Sequence, residues 1–166
     1  LVSSSAASDV YKRQLTTDYD LLLKYIDEID FDLISTRGTA IGSALAISTN
    51  RMRSSDSMSK IIILLSDGDN TAGNIDPLTA AEIAKAYNIK IYTIAIGKNG
   101  KVPFGKDYFG RTRFVENSLD EKNLKEIAQL TSGKFYRASN ENSLKNIFEE
   151  IDVLEKSEVK ENRFIN

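Results

Sequence analysis

Two nearly uninterrupted apolar runs, KIIILLS at 60–66 and KIYTIAI at 90–96, constrain this fold more than any other feature. A strand that is apolar at consecutive rather than alternate positions has no face to give to water, so each run is expected to be covered on both sides. Between them Asp76-Pro77 opens a helix, with Asp as N-cap and Pro at the first position, running to about Tyr87. Buried strand, helix, buried strand is the signature of a parallel sheet between layers of helices.

The remaining segments fit that frame. Residues 18–30 carry Leu22, Leu23, Tyr25, Ile26 and Ile29 at helical spacing behind Asp18, a candidate N-cap. Residues 40–52 read as a second helix, small and apolar enough to be buried. Gly100, Pro103, Gly105 and Gly110 make residues 98–117 a long loop with room for a short hairpin. A helix over 119–130 closes at Ser132-Gly133, where glycine is expected to supply the left-handed cap. KFYRA at 134–138 is a third strand, and residues 143–155 form a last amphipathic helix. The charges on 120–126 and 145–156 read as solvated helix faces. The fold class is therefore α/β, a layer fold with a parallel sheet.

The ends read differently. LVSSSAASDVYKRQ at 1–14 follows neither a period of 2 nor one of 3.6 and lacks the layout of a signal peptide. It is similar to the peptide produced when sequencing-adapter DNA is translated, so it is set apart as a non-native leader. The domain is read as 15–156, and residues 157–166 as a tail or linker.

Composition narrows the chemistry. The chain contains no His and no Cys, which removes the usual general base, thiolate nucleophiles and nearly all zinc sites. With 22 Lys and Arg against 24 Asp and Glu, no overall positive charge draws in nucleic acid. No apolar run reaches the roughly 18 residues of a membrane span. Any metal must be a hard cation held by oxygen. Any hydrolysis must start from a carboxylate, a hydroxyl or metal-bound water.

In open α/β sheets the working residues collect at the carboxyl ends of the strands. Here these are Ser66, Asp67, Gly68, Asp69, Asn70 and Thr71 after the first run, Gly97 and Lys98 after the second, and Ser139 and Asn140 after the third. Thr39, in Gly38-Thr39-Ala40-Ile41-Gly42, stands at a helix start, where its oxygen either caps the helix or points across the crevice. The structural alternative is that Asp67 and Asp69 are turn formers and Thr39 a plain N-cap.

GTAIGSAL (38–45), IIILLSDGDNTAGNIDPLTAAEIAKAYNIKIYTIAIG (61–97), LKEIAQLTSGKFYRA (124–138) and SLKNIFEEID (143–152) resemble the von Willebrand factor type A domain. The likeness is nearest to that domain in bacterial Bat-type aerotolerance proteins, and it implies a doubly wound, Rossmann-like three-layer sandwich with a mostly parallel sheet, here lacking its first strands. It implies a protein-interaction domain holding Mg²⁺ or Mn²⁺ at a metal-ion-dependent adhesion site, with a partner's carboxylate filling the open position. It further implies a parent tethered to a bacterial membrane, with the domain on the extracytoplasmic, periplasmic side. Thr39 matches the family's threonine ligand and Asp67 its strand-end aspartate. The family's D-x-S-x-S stretch is absent; the nearest string, DSMSK at Asp56, has Met58 where serine is needed. In the family that stretch lies upstream together with the first strands, so the site is expected to be incomplete and cation binding weak or absent. The first of those strands would lie beside 60–66, and its loss is expected to leave an aggregation-prone edge and a partly molten chain.

Two other readings compete. Asp67-Gly68-Asp69-Asn70-Thr71 matches D-x-D-x-T, the opening motif of haloacid-dehalogenase-like phosphatases, with Asp67 as nucleophile and Asp69 as general acid. That family needs a helical turn and a flap directly after the motif, where Asp76-Pro77 leaves little room. The third reading is a metal-independent scaffold recognised through 98–117, in which Tyr108, Phe109 and Phe114 either line a partner surface or pack their own loop.

Overall fold

Both apolar runs are strands, and they pair with each other in parallel. The computed structural model describes residues 18–29, 38–67, 70–97, 100–106, 108, 110–117 and 121–165; the leader 1–14 lies outside the described residues. The elements are α1 (Tyr19–Asp27), α2 (Ile41–Met52), β1 (Lys60–Ser66), α3 (Pro77–Ala86), β2 (Ile89–Ile96), β3 (Gly100–Lys106), β4 (Thr112–Asn117), α4 (Glu121–Leu130), β5 (Phe135–Ala138) and α5 (Glu141–Ile165). The main sheet has the order β1-β2-β5, parallel throughout, with Lys60 opposite Ile89 and Ser66 opposite Ala95. β3 and β4 form a separate antiparallel hairpin inside the long loop.

β2 shows why the layers form. Its alternate residues Ile89 and Ile91 join Ile41 and Leu45 of α2, Ala80, Ala81 and Ala84 of α3, and Ile127 of α4. Tyr92 and Ile94 turn the other way and pack with Ala138 of β5 and Ile147 and Ile151 of α5. Each fully buried isoleucine contributes about 1.5–3 kcal/mol, and the three alanines of α3 let that helix lie close. Asp76 caps α3 as expected, its carboxylate accepting from Thr79 N at 2.9 Å, and Asp18 caps α1 the same way from Leu21 N at 3.0 Å.

Several expectations need correction. The α4 terminus places Ser132, not Gly133, in the left-handed region (φ 60°). Gly133 is required for a different reason: a Cβ there would overlap the carbonyl oxygen of Ile91, so only glycine lets the α4 exit lie against β2. Thr131 completes that contact, its hydroxyl accepting from Ile91 N at 3.0 Å and donating to Ile127 O at 3.0 Å. α5 continues to Ile165, so residues 157–165 extend the helix.

β1 departs from the expectation of cover on both faces. Among the described residues it has a strand partner only on its β2 side; Ile61–Leu64 are half-buried and Leu65 is 42% exposed. Ile62 and Leu64 pack against the α2–α3 side of the core and Ile61 and Ile63 against the α5 side, so each face of β1 is partly covered. α1 has no buried residue, and its apolar Tyr19, Leu23 and Ile26 are exposed.

Glu155 breaks the rule of solvated helix charges. It continues the stripe Leu144, Ile147 and Ile151 down α5 and is buried beside the starts of β1 and β2. Its carboxylate accepts from Ser59 Oγ at 2.5 Å, Tyr92 OH at 2.6 Å and Lys90 Nζ at 3.1 Å. Burial pushes this carboxyl up, but the three hydrogen bonds and the Lys90 charge outweigh it and hold the group below its ordinary value.

Candidate functional site

The loop that follows β1 is strapped to the segment that enters α2. Thr39 O accepts from Thr71 N and from Ala72 N, both at 3.0 Å, and Thr39 N donates back to Thr71 Oγ1 at 2.9 Å. Asn70 Oδ1 accepts from Ile41 N at 2.8 Å. These bonds join residues 29 to 33 positions apart in sequence. Gly42 makes the approach possible, because a Cβ there would overlap the carbonyl oxygen of Ile75.

The strap decides what Thr39 is doing. The N-cap of α2 is Ala40, which makes no side-chain cap bond, and the cap is supplied from outside by Asn70. Thr39 is therefore not the N-cap. Ser66 is buried at the end of β1, and Asp67 follows it as an exposed carboxylate. The geometry brings the loops of Thr39 and Asp67 to one end of the sheet. Asn70 and Thr71 went unrecognised as its fasteners, and their only sequence signal was to be polar residues just past a strand.

The other strand-end candidates do other work. Asn140 Oδ1 accepts from Ser143 N at 2.8 Å, while Ser143 Oγ accepts from Ser139 N and Asn140 N, both at 3.1 Å. This is a capping turn for α5. Gly97 N donates to Ala138 O at 3.3 Å, and Asp69 and Lys98 lie outside the described residues.

The donor set here is one carboxylate, Asp67, and one threonine hydroxyl, Thr39. Mg²⁺ asks for near-octahedral oxygen, about six ligands, and keeps its waters unless carboxylates hold it. Among the described residues no group of three or more Asp, Glu, His or Cys could hold a cation. These residues alone do not fit a tightly bound ion. The phosphatase reading fares no better: the threonine of its motif, Thr71, is spent fastening the α2 entrance.

A family model for the von Willebrand factor type A domain matches residues 1–150. The chain is similar to the crystal structure of the conserved hypothetical protein BatB from Bacteroides thetaiotaomicron, with a TM-score of 0.68 and 28% identity, covering 85% of this chain and 71% of that one. An uncharacterized membrane-spanning protein from Vibrio fischeri matches at a TM-score of 0.50 and 39% identity, covering 84% of this chain and 68% of the other. A curated relative, an uncharacterized protein of Borreliella burgdorferi, is 29% identical over 76% of this chain and 38% of its own length. The chain spans only 26% to 38% of the curated relatives it matches. No helix among the described residues is long and apolar enough to cross a membrane.

Proposed function

Because the chain belongs to the von Willebrand factor type A domain family, we propose that it is a protein-interaction domain working at the carboxyl end of its parallel sheet. The strap between Thr39 and residues 70–72 carries this reading. Four hydrogen bonds hold the two loops together, and Gly42 lets the backbone of Ile75 lie against the start of α2. In a longer protein that adds a D-x-S-x-S segment, Thr39 and Asp67 would serve as two ligands of Mg²⁺ or Mn²⁺, and a partner's carboxylate would fill the open position. By itself this chain binds such a cation weakly or not at all. Its task is binding rather than turnover.

The similarity to BatB and to a membrane-spanning protein supports a parent of Bat type, tethered to a bacterial membrane with this domain on the extracytoplasmic side. Calorimetric titration of Mn²⁺ into the longer protein tests the cation. Heat that disappears in Thr39→Ala and Asp67→Ala is expected, and heat indifferent to both overturns the assignment. Asp67-dependent hydrolysis of p-nitrophenyl phosphate would instead favour the phosphatase.

A further inference from the structure

We propose that Met58 is a modification site, a reversible acceptor of oxygen from hydrogen peroxide, placed where its sulfoxide leaves the fold intact. The inference needs neither a cation nor a partner, so it stands apart from the interaction-domain reading above.

Composition sets the chemistry. The sulfur side chains, Cys and Met, are the ones that climb the oxidation ladder. The chain has no Cys, no His and no Trp, so its two methionines, Met52 and Met58, carry all of its sulfur. The structure divides them sharply. Met52 ends α2 and is 8% exposed, packed in the cluster that holds Ile41, Leu45, Ala80 and Ile89. Met58 stands in the connection from α2 to β1 and is 62% exposed.

The connection is tied down on both sides of that residue. Ser57 N donates to Ser55 Oγ at 3.3 Å, and the two hydroxyls lie 2.9 Å apart. Ser59 Oγ donates to the Glu155 carboxylate at 2.5 Å, and Lys60 Nζ to Arg53 O at 3.4 Å, which joins the two ends of the loop. The neighbours of Met58 are thus hydrogen-bonded while Met58 itself faces solvent.

The step balances. The Sδ lone pair takes one oxygen of the peroxide, the O–O bond breaks, and the other oxygen leaves as water with both hydrogens. Sulfur loses two electrons and peroxide gains two. A sulfoxide turns an apolar side chain into a polar one, which disrupts a core but not a solvated loop. A thiol-dependent methionine sulfoxide reductase reverses the change: two thiols become a disulfide, and the oxygen departs as water. β1 is about 20 Å long and separates Met58 from Asp67, so oxygen is taken up at the end of the strand opposite the candidate site.

The test follows the mass of the full chain in hydrogen peroxide and EDTA, with peptide mapping to locate the oxygen. Wild type should gain one oxygen, about 16 Da, at least about tenfold faster than a second. Met58→Leu should lose the fast uptake, whereas Met52→Leu, a volume-conserving change, should keep it. In guanidinium chloride the two methionines should react at equal rates; the native ratio persisting there would make local sequence its cause and overturn the proposal. The singly oxidised chain should melt within about 2 °C of the untreated one. Methionine sulfoxide reductases of both stereospecificities, supplied with dithiothreitol, should remove the oxygen. Equal rates at Met52 and Met58 in the native chain, or fast uptake surviving in Met58→Leu, overturns the proposal. So does a larger drop in melting temperature, or an oxygen that the reductases cannot remove.

Discussion

Removing the Glu155 carboxylate should loosen α5 from the sheet. Glu155→Ala deletes an acceptor shared by Ser59 Oγ at 2.5 Å, Tyr92 OH at 2.6 Å and Lys90 Nζ at 3.1 Å, in a residue only 9% exposed. A hydrogen bond to a charged group contributes about 1.5–3 kcal/mol, but the three share one carboxylate and do not add. Lys90, with its side chain 22% exposed, regains water on release. A loss of about 3 kcal/mol follows, or about 6–12 °C in Tm for a domain of this size. Glu155→Gln keeps the shape and one acceptor oxygen and should lose about half as much. The pH dependence has a definite sign. Since hydrogen bonding holds the folded group below the ordinary 4.5, its contribution is complete above that value and is lost as pH falls through the folded pKa. Urea denaturation of wild type and Glu155→Gln should show a gap at about pH 7 that closes toward about pH 3. A gap of constant size across that range, or Glu155→Ala as stable as wild type at neutral pH, refutes the reasoning.

Three further outcomes are expected. Thr49 Oγ1 on α2 is buried with no partner among the described residues, so Thr49→Val should gain about 1 kcal/mol in urea denaturation; a loss would mean that the hydroxyl has a partner after all. Gly42→Ala should cost about 2 kcal/mol despite the better helix propensity of alanine, because the new methyl meets the backbone of Ile75; an unchanged or raised melting temperature would refute the close approach. Burial, then the hydrogen bond and charge of Glu150, raise Tyr136 from 10.0 to about 12. The unfolded phenol ionises first, so stability should fall with rising pH between those values. Tyr136→Phe should flatten that decline, and an equal decline in the variant would exclude Tyr136 as its source.

Much of the fold was legible because its signals are local. An apolar run, an Asp-Pro helix start and a three-residue hydrophobic period each lie within one segment, and β1, β2 and α3 came out within a residue or so of their observed bounds. The features that escaped depend on what arrives from elsewhere. Gly133 looks like a cap until β2 is placed against it, and Glu155 looks like one more surface charge until Tyr92 and Lys90 are brought beneath it. Thr39 and Asp67 stand out by a helix start, a strand end and the resemblance; Asn70 and Thr71 lie in the same strand-end loop, but that they fasten the Thr39 segment depends on α2 being brought beside them.

The two borders of the main sheet differ in kind. β5 offers four residues with Arg137 among them, whereas β1 offers seven with no charge after Lys60. Charge and brevity discourage a newcomer at the first, and neither operates at the second. Among the described strands of the main sheet, strand-to-strand growth thus begins most readily at β1. If two copies meet there across a two-fold axis, each consumes the other's inviting border of the main sheet, and growth through that border terminates at a pair instead of propagating into a fibre.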